Sequence, residues 1–165
     1  MTLTSMPVHF FGYINILEKQ GKIDEAIKIY DYLLEKNPVD SYLISNYSRF
    51  LREDRKVDEA FELLSRKCKI PEVANNALVQ YEIIDNLEYK IKKSPYRILP
   101  INNHDQIKQF LMSKKFGEKY IEYLIEKNKE FLDVILEYHN LNYRLGYVTP
   151  ELGVGAPASS NFLIP

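Results

Sequence analysis

Catalysis and metal binding need histidines, thiols, hydroxyls or carboxylates brought together, so these residues come first. His9, His104 and His139 are scattered along the chain. None has a second histidine four residues away, the spacing that sets two imidazoles on one face of a helix for a metal. They read as structural or surface histidines. Cys68 is the single cysteine, which excludes an intramolecular disulfide and any cysteine-based zinc site within the chain. It sits near the end of an apolar helical stripe with no histidine close in sequence, so a packed thiol is expected and not a nucleophile. Ser159-Ser160 lacks a nucleophile-elbow motif, and neither a Gly-x-Gly-x-x-Gly fingerprint nor a phosphate-binding P-loop occurs. Glu122, Glu126, Asp133 and Glu137 fall on one polar side of a helical pattern and read as a solvated face. The chain therefore presents no catalytic residue, no cofactor site and no metal site, and is read as a non-enzyme.

Two basic groups, Arg49-Arg52-Arg55-Lys56 and Arg66-Lys67-Lys69, raise the question of nucleic acid. Glu53, Asp54, Asp58 and Glu59 are interleaved with them, which cancels much of the field a phosphate would feel. The whole chain of 165 residues carries 22 basic and 23 acidic side chains, a net charge of −1. Such a balance makes nucleic acid an unlikely partner and gives no anionic-membrane patch. A composition 45% hydrophobic and 13% aromatic disfavours disorder. No apolar run reaches the ~18 residues of a membrane span. The N-terminus lacks the charged start and apolar stretch of a secretory signal. A soluble, cytoplasmic protein is expected.

The elements that hold these residues follow from an internal repeat. Lys22-Ile23-Asp24-Glu25-Ala26 recurs as Lys56-Val57-Asp58-Glu59-Ala60, an offset of 34 residues. The same offset pairs Phe10 with Ile44, Tyr13 with Tyr47 and Leu17 with Leu51, and continues faintly into Leu78, Tyr81, Lys90 and Ile91. Each unit predicts two helices. Ser5 caps and Pro7 opens the first, with Phe10, Tyr13, Ile14 and Leu17 on one face. Gly21 ends it. Asp24 and Glu25 suit the next helix's positive N-terminus. Ala26, Ile27, Tyr30, Leu33 and Leu34 form its stripe, and Asn37-Pro38 stops it. The small Ala26 and Ala60 allow two antiparallel backbones to approach.

This pattern resembles the tetratricopeptide repeat (TPR) family, a helix-turn-helix unit of 34 residues. The resemblance rests on Tyr13, Leu17, Gly21, Ala26, Tyr30 and Pro38, and in the second unit on Tyr47, Leu51, Ala60 and Leu64. It covers residues 7–71, with a degenerate third unit over 72–93. The second unit departs from the pattern at Arg55, which stands where the turn glycine belongs, and at Pro71, one residue early. Pentatricopeptide repeats, which read single-stranded RNA, share the Gly-x-x-Asp-Glu-Ala turn. Their period is slightly longer, their proline falls later than Pro38 does after Ala26, and RNA reading needs more repeats than two. They are the weaker resemblance.

Residues 72–93 predict one long helix that caps the array, with Val73, Ala77, Leu78, Tyr81, Ile84, Leu87 and Ile91 inward. Residues 94–103, with Pro95 and Pro100, form a linker. A helical pair is expected over 104–145: a short helix capped by Asn102 or Asn103, then one long helix from Glu118 to about Asn140. Its stripe of Ile121, Leu124, Ile125, Leu132, Ile135 and Leu136 is widened by Tyr120, Tyr123, Phe131, Val134 and Tyr138 beyond the ~100° of an ordinary surface helix. Residues 146–165, rich in glycine and proline, read as an extended tail.

The expected fold is all-α: antiparallel helix-turn-helix repeats, a long capping helix and a C-terminal helical pair. The TPR resemblance implies a groove lined by the first helix of each unit. In some members two asparagines and three basic residues there grip a partner's C-terminal carboxylate. Asn15 and Asn46 match the asparagines, but Phe11, Asn76 and Gln80 replace the cations, and an unpaired carboxylate would not recover its desolvation cost. The expected function is a non-catalytic adaptor or scaffold subunit that binds a protein partner. Contact residues would be Phe11, Asn15, Asn46, Arg49 and Tyr81 in the groove, and Tyr123 and Tyr138 on a second surface. Homo-oligomerisation is compatible with that surface. An RNA-associated helical-repeat protein, such as a peripheral ribonucleoprotein subunit, is the alternative.

Overall fold

The structure, a computed structural model, describes the backbone of residues 8–93 and 101–144 and the side chains of 10–93 and 101–140. Ser5 and Pro7, most of the expected linker and the tail lie outside the described residues. Among those described, every regular element is helical and no strand occurs. The helices are α1 (Val8–Lys19), α2 (Ile23–Lys36), α3 (Ser41–Glu53), α4 (Val57–Lys67), α5 (Pro71–Ala74), α6 (Ala77–Lys93), α7 (His104–Ser113), α8 (Glu118–Lys127) and α9 (Lys129–Arg144). The chain forms two compact units, residues 1–83 and 84–165, with the division inside α6.

In the first unit, α1 packs on α2, α2 on α3 and α3 on α4. Ala26 and Ala60 are fully buried, as their small size at the hairpin crossing requires. Leu43, Ile44, Phe61 and Leu64 are likewise buried, each side chain contributing ~1.5–3 kcal/mol of apolar transfer. Asp40 caps α3 by accepting the Leu43 N–H at 3.1 Å. The two hairpin turns are the same object. The Lys22 N–H reaches the Leu17 carbonyl and the Lys56 N–H reaches the Leu51 carbonyl, while the residues before them, Gly21 and Arg55, bond back to Glu18 and Arg52. This is the Schellman arrangement, which needs a left-handed residue at the turn. Gly21 has φ +76° and Arg55 φ +64°. Arg55 thus adopts the conformation that glycine supplies in the first unit.

Three expectations are corrected. The helix expected over 72–93 is two: α5 ends at Ala74 with Asn75 as its cap, and Asn76 Oδ1 accepts the Leu78 N–H at 2.8 Å, restarting the chain as α6. The face of α6 also differs. Val79, Ile83, Ile84, Leu87 and Ile91 are buried, whereas Ala77, Leu78 and Tyr81 are exposed. Leu78 and Tyr81 of the faint third copy therefore point outward, while its Ile91 joins the aliphatic row that takes the core. Tyr13, expected inside with Tyr47, is 49% exposed while Tyr47 is buried.

In the second unit α7 packs on α8 and α8 on α9. Asn103 caps α7 by accepting the Gln106 N–H at 2.8 Å, and Gln106 Oε1 accepts the Asn102 N–H at 2.7 Å. This is a reciprocal arrangement close to a capping box. The α7–α8 turn repeats the Schellman geometry, with Phe116 N–H bonded to Leu111 O, Lys115 N–H to Met112 O and Lys115 at φ +77°. The expected long C-terminal helix is broken at Asn128, so the helical pair becomes three helices. Both the backbone N–H and the Nδ2 of Asn128 donate to the Leu124 carbonyl, closing α8. Its own carbonyl accepts the Leu132 N–H and opens α9.

Candidate binding groove

α1 and α3 present residues three and four positions apart on their facing sides, and these enclose a cleft of about 320 Å³. From α1 come Phe11, Ile14, Asn15 and Glu18. From α3 come Tyr42, Asn46, Arg49, Phe50 and Glu53, and Tyr30 of α2 joins them. Ile14, Tyr30 and Phe50 are buried, and Asn15, Tyr42, Arg49 and Glu53 are exposed. The result is an apolar floor under a polar rim. Phe11 and Tyr42 meet edge-to-face with ring centroids 5.8 Å apart, a favourable orientation of ring quadrupoles.

The floor is held from behind. Tyr30 stacks on Tyr47 at 4.7 Å, and the Tyr47 hydroxyl donates to Asp31 Oδ1 at 2.7 Å. Burial, and then the hydrogen bond to Asp31, push the Tyr47 phenol well above its usual range. Burial raises the Tyr30 phenol to about 12; Arg49 opposes this and Glu18 and Glu53 add to it. Both phenols are neutral donors at physiological pH.

Four of the expected contact residues, Phe11, Asn15, Asn46 and Arg49, line this one cleft. Their environments differ. Asn46 is buried, its Nδ2 donates to the Tyr42 carbonyl at 2.9 Å and its Oδ1 accepts from Arg49. Its amide is engaged within α3 and orients the guanidinium. Asn15 is the exposed amide. Tyr81, 64% exposed, does not line the cleft, and Tyr123 and Tyr138 are exposed in the second unit. There Tyr120 and Tyr123 stack at 6.4 Å with the Lys127 ammonium 5.5 Å from the Tyr123 ring, and Phe131, Val134 and Tyr138 project from α9 at helical spacing.

Tyr42, Glu18 and Glu53 are cleft residues that the sequence reading missed. Their signal was available, since 11, 15 and 18, and 42, 46, 49 and 53, are single helix faces.

One member of each basic group is tied to another part of the structure. Arg52 lies 2.8 Å from Glu82, a buried carboxylate that also accepts from Ser48 at 3.0 Å. Lys67 donates to the Pro38 carbonyl at 2.9 Å, and burial lowers its pKa. Of the acidic row, Glu122 accepts from Lys108 at 2.9 Å, and Asp133 lies 2.6 Å from His104 Nε2. Hydrogen bonds from Lys108 to Glu122 and Glu118 raise its pKa to about 12. Among the described residues, no group of three histidine, cysteine or acidic side chains is placed to hold a metal ion, and no helix is long and apolar enough to cross a membrane.

Compared with protein-family models, curated proteins and solved structures, the chain matches none.

Proposed function

We propose that this protein is a non-catalytic interaction module, an adaptor or scaffold subunit whose α1–α3 groove binds a segment of a protein partner. The observation that carries this reading is the groove itself: a concave apolar floor with aromatic walls, and an exposed amide and guanidinium with one exposed and one half-buried carboxylate at its rim. Such a set recognises shape and hydrogen-bonding pattern, as small concave sites do. The TPR-like helix-turn-helix arrangement supports it, because that architecture turns one helix of each unit toward a ligand. The exposed row of Phe131, Val134 and Tyr138, with Tyr123 nearby in sequence on α8, is the second contact surface of this proposal. A cytoplasmic setting belongs to the same reading and is supported by a lone cysteine that no intramolecular disulfide can use.

Affinity purification of the full chain from its native cells, followed by mass spectrometry, tests the reading. The wild type and an Asn15→Ala/Tyr42→Ala variant, both altered at exposed positions, are compared. The expected outcome is a small set of proteins retained at high salt by the wild type and lost from the variant. Identical recovery by both, or strongly salt-dependent binding of single-stranded RNA, overturns it. The second result would favour the RNA-associated alternative. The engagement of Arg52 with Glu82 weighs against that alternative by removing one cation from the surface a phosphate would meet.

A further inference from the structure

The groove has a charge sign as well as a shape. Its charged members are Glu18, Arg49 and Glu53, two carboxylates against one guanidinium. Arg49 already donates to Asn46 Oδ1. Glu18 and Glu53 have no basic group within 4 Å among the described residues. They stand on different helices, yet both line the same cleft. Phe11 and Tyr42 form the adjoining wall, and aromatic faces attract ammonium and guanidinium groups. The protein uses that pairing elsewhere: Lys36 lies over Tyr32 and Lys114 over Phe110.

From these observations, and resting on the groove-binding reading above, we propose that the occupant is an extended segment of a partner protein that carries a lysine or arginine beside an apolar side chain. The apolar side chain rests on the small part of Ile14 and Phe50 that the cleft leaves open. The cation's methylene stem lies along Phe11 and Tyr42, and its charged end reaches Glu18 and Glu53. A segment ending in a free carboxylate is the wrong ligand, since it would add a third negative charge to a site that holds one cation, Arg49. At about 320 Å³ the cleft holds a pair of side chains and not a folded surface.

The test is selection from a displayed library of random internal heptapeptides against the intact protein. Parallel selections use a Glu18→Gln/Glu53→Gln variant and a Tyr42→Ala variant, with folding of each checked by circular dichroism. The wild type is expected to enrich peptides with Lys or Arg next to an aliphatic or aromatic residue. A resynthesised winner should bind about tenfold more weakly when its basic residue becomes Gln, or when the double Gln variant is used, the loss expected for a charge-assisted hydrogen bond. Enrichment of neutral or acidic peptides that is lost in Tyr42→Ala overturns the cationic assignment and leaves the groove reading standing. Enrichment no different from that of Tyr42→Ala overturns both.

Discussion

Glu82 is a carboxylate only 7% exposed on a helix whose neighbours are aliphatic, and such a group persists only when its charge is answered. Arg52 at 2.8 Å and the Ser48 hydroxyl at 3.0 Å answer it. The pair need not add net stability, because desolvating both ions offsets most of their attraction. Removing one partner is a different matter, since the other charge is left buried. Arg52→Ala should lower unfolding free energy by about 3 kcal/mol or more, read from urea titration. A double-mutant cycle with Glu82→Gln should return much of that loss. Additive losses would show that the two side chains are not coupled. His139 poses a related question with the opposite reference state. It is buried, and burial lowers its pKa, so the folded protein favours the neutral imidazole more than the unfolded chain does. Above the ordinary histidine pKa of about 6.5 it is neutral folded or unfolded and pH has no leverage. Below that value the unfolded chain takes up a proton that the folded one resists, so stability falls with falling pH. His139→Gln should flatten the decline in melting temperature between about pH 7 and 5.5. Equal slopes in the two proteins would assign the decline to other groups.

At the scale of the element, the Schellman turns show what the sequence makes legible. Gly21 announces its turn because glycine is the residue that enters the left-handed region without strain. The copied Lys-x-Asp-Glu-Ala run placed the second turn despite Arg55. The third turn is expected at Lys114-Lys115-Phe116-Gly117, but its left-handed residue is Lys115 and not the glycine two positions later. The helix breaks at Asn75–Asn76 and Asn128 were illegible for another reason: apolar spacing runs through both, and a side-chain amide bonded to local backbone opens the second helix in one case and closes the first in the other. Arg52 and Glu82 are 30 residues apart, so no local pattern joins them. The groove was half legible, since Phe11, Asn15 and Asn46 follow from the register that the TPR resemblance implies and Arg49 from the basic run at helical spacing beside them. That Asn46 is occupied by Arg49 depends on side-chain placement that spacing does not supply. The turn geometry also makes a prediction. A Cβ at Gly21 meets nothing within 4 Å, so its substitution costs only backbone strain. Gly21→Ala should destabilise by about 1 kcal/mol, and Arg55→Gly should stabilise by up to about 1 kcal/mol. Thermal melts of the two variants check the pair, and a lower melting temperature for Arg55→Gly would mean its side chain contributes more than its strained φ costs.

For the whole molecule the informative fact is that the first compact unit ends inside a helix. Residues 77–83 belong with α1–α5 although they are the opening turns of α6. They bring Val79 and Ile83, both fully buried, and Glu82. A chain ending at Asn76 would forgo two buried aliphatic side chains, at ~1.5–3 kcal/mol each. It would also lose the Arg52–Glu82 pair, whose net contribution is small because Arg52 regains solvent when its helix partner leaves. Small domains have only about 5–15 kcal/mol in total. A fragment of residues 1–76 should therefore lack a cooperative urea transition, although both hairpin sequences are present. A fragment of residues 1–93 keeps the whole of α6 and should unfold cooperatively. It also retains Ile84, Leu87 and Ile91 from the second unit's part of that helix, so its melting curve should depend on protein concentration as this stripe seeks cover. If the shorter fragment unfolds as cooperatively as the longer one, α6 is an attachment to the hairpins and not part of their core.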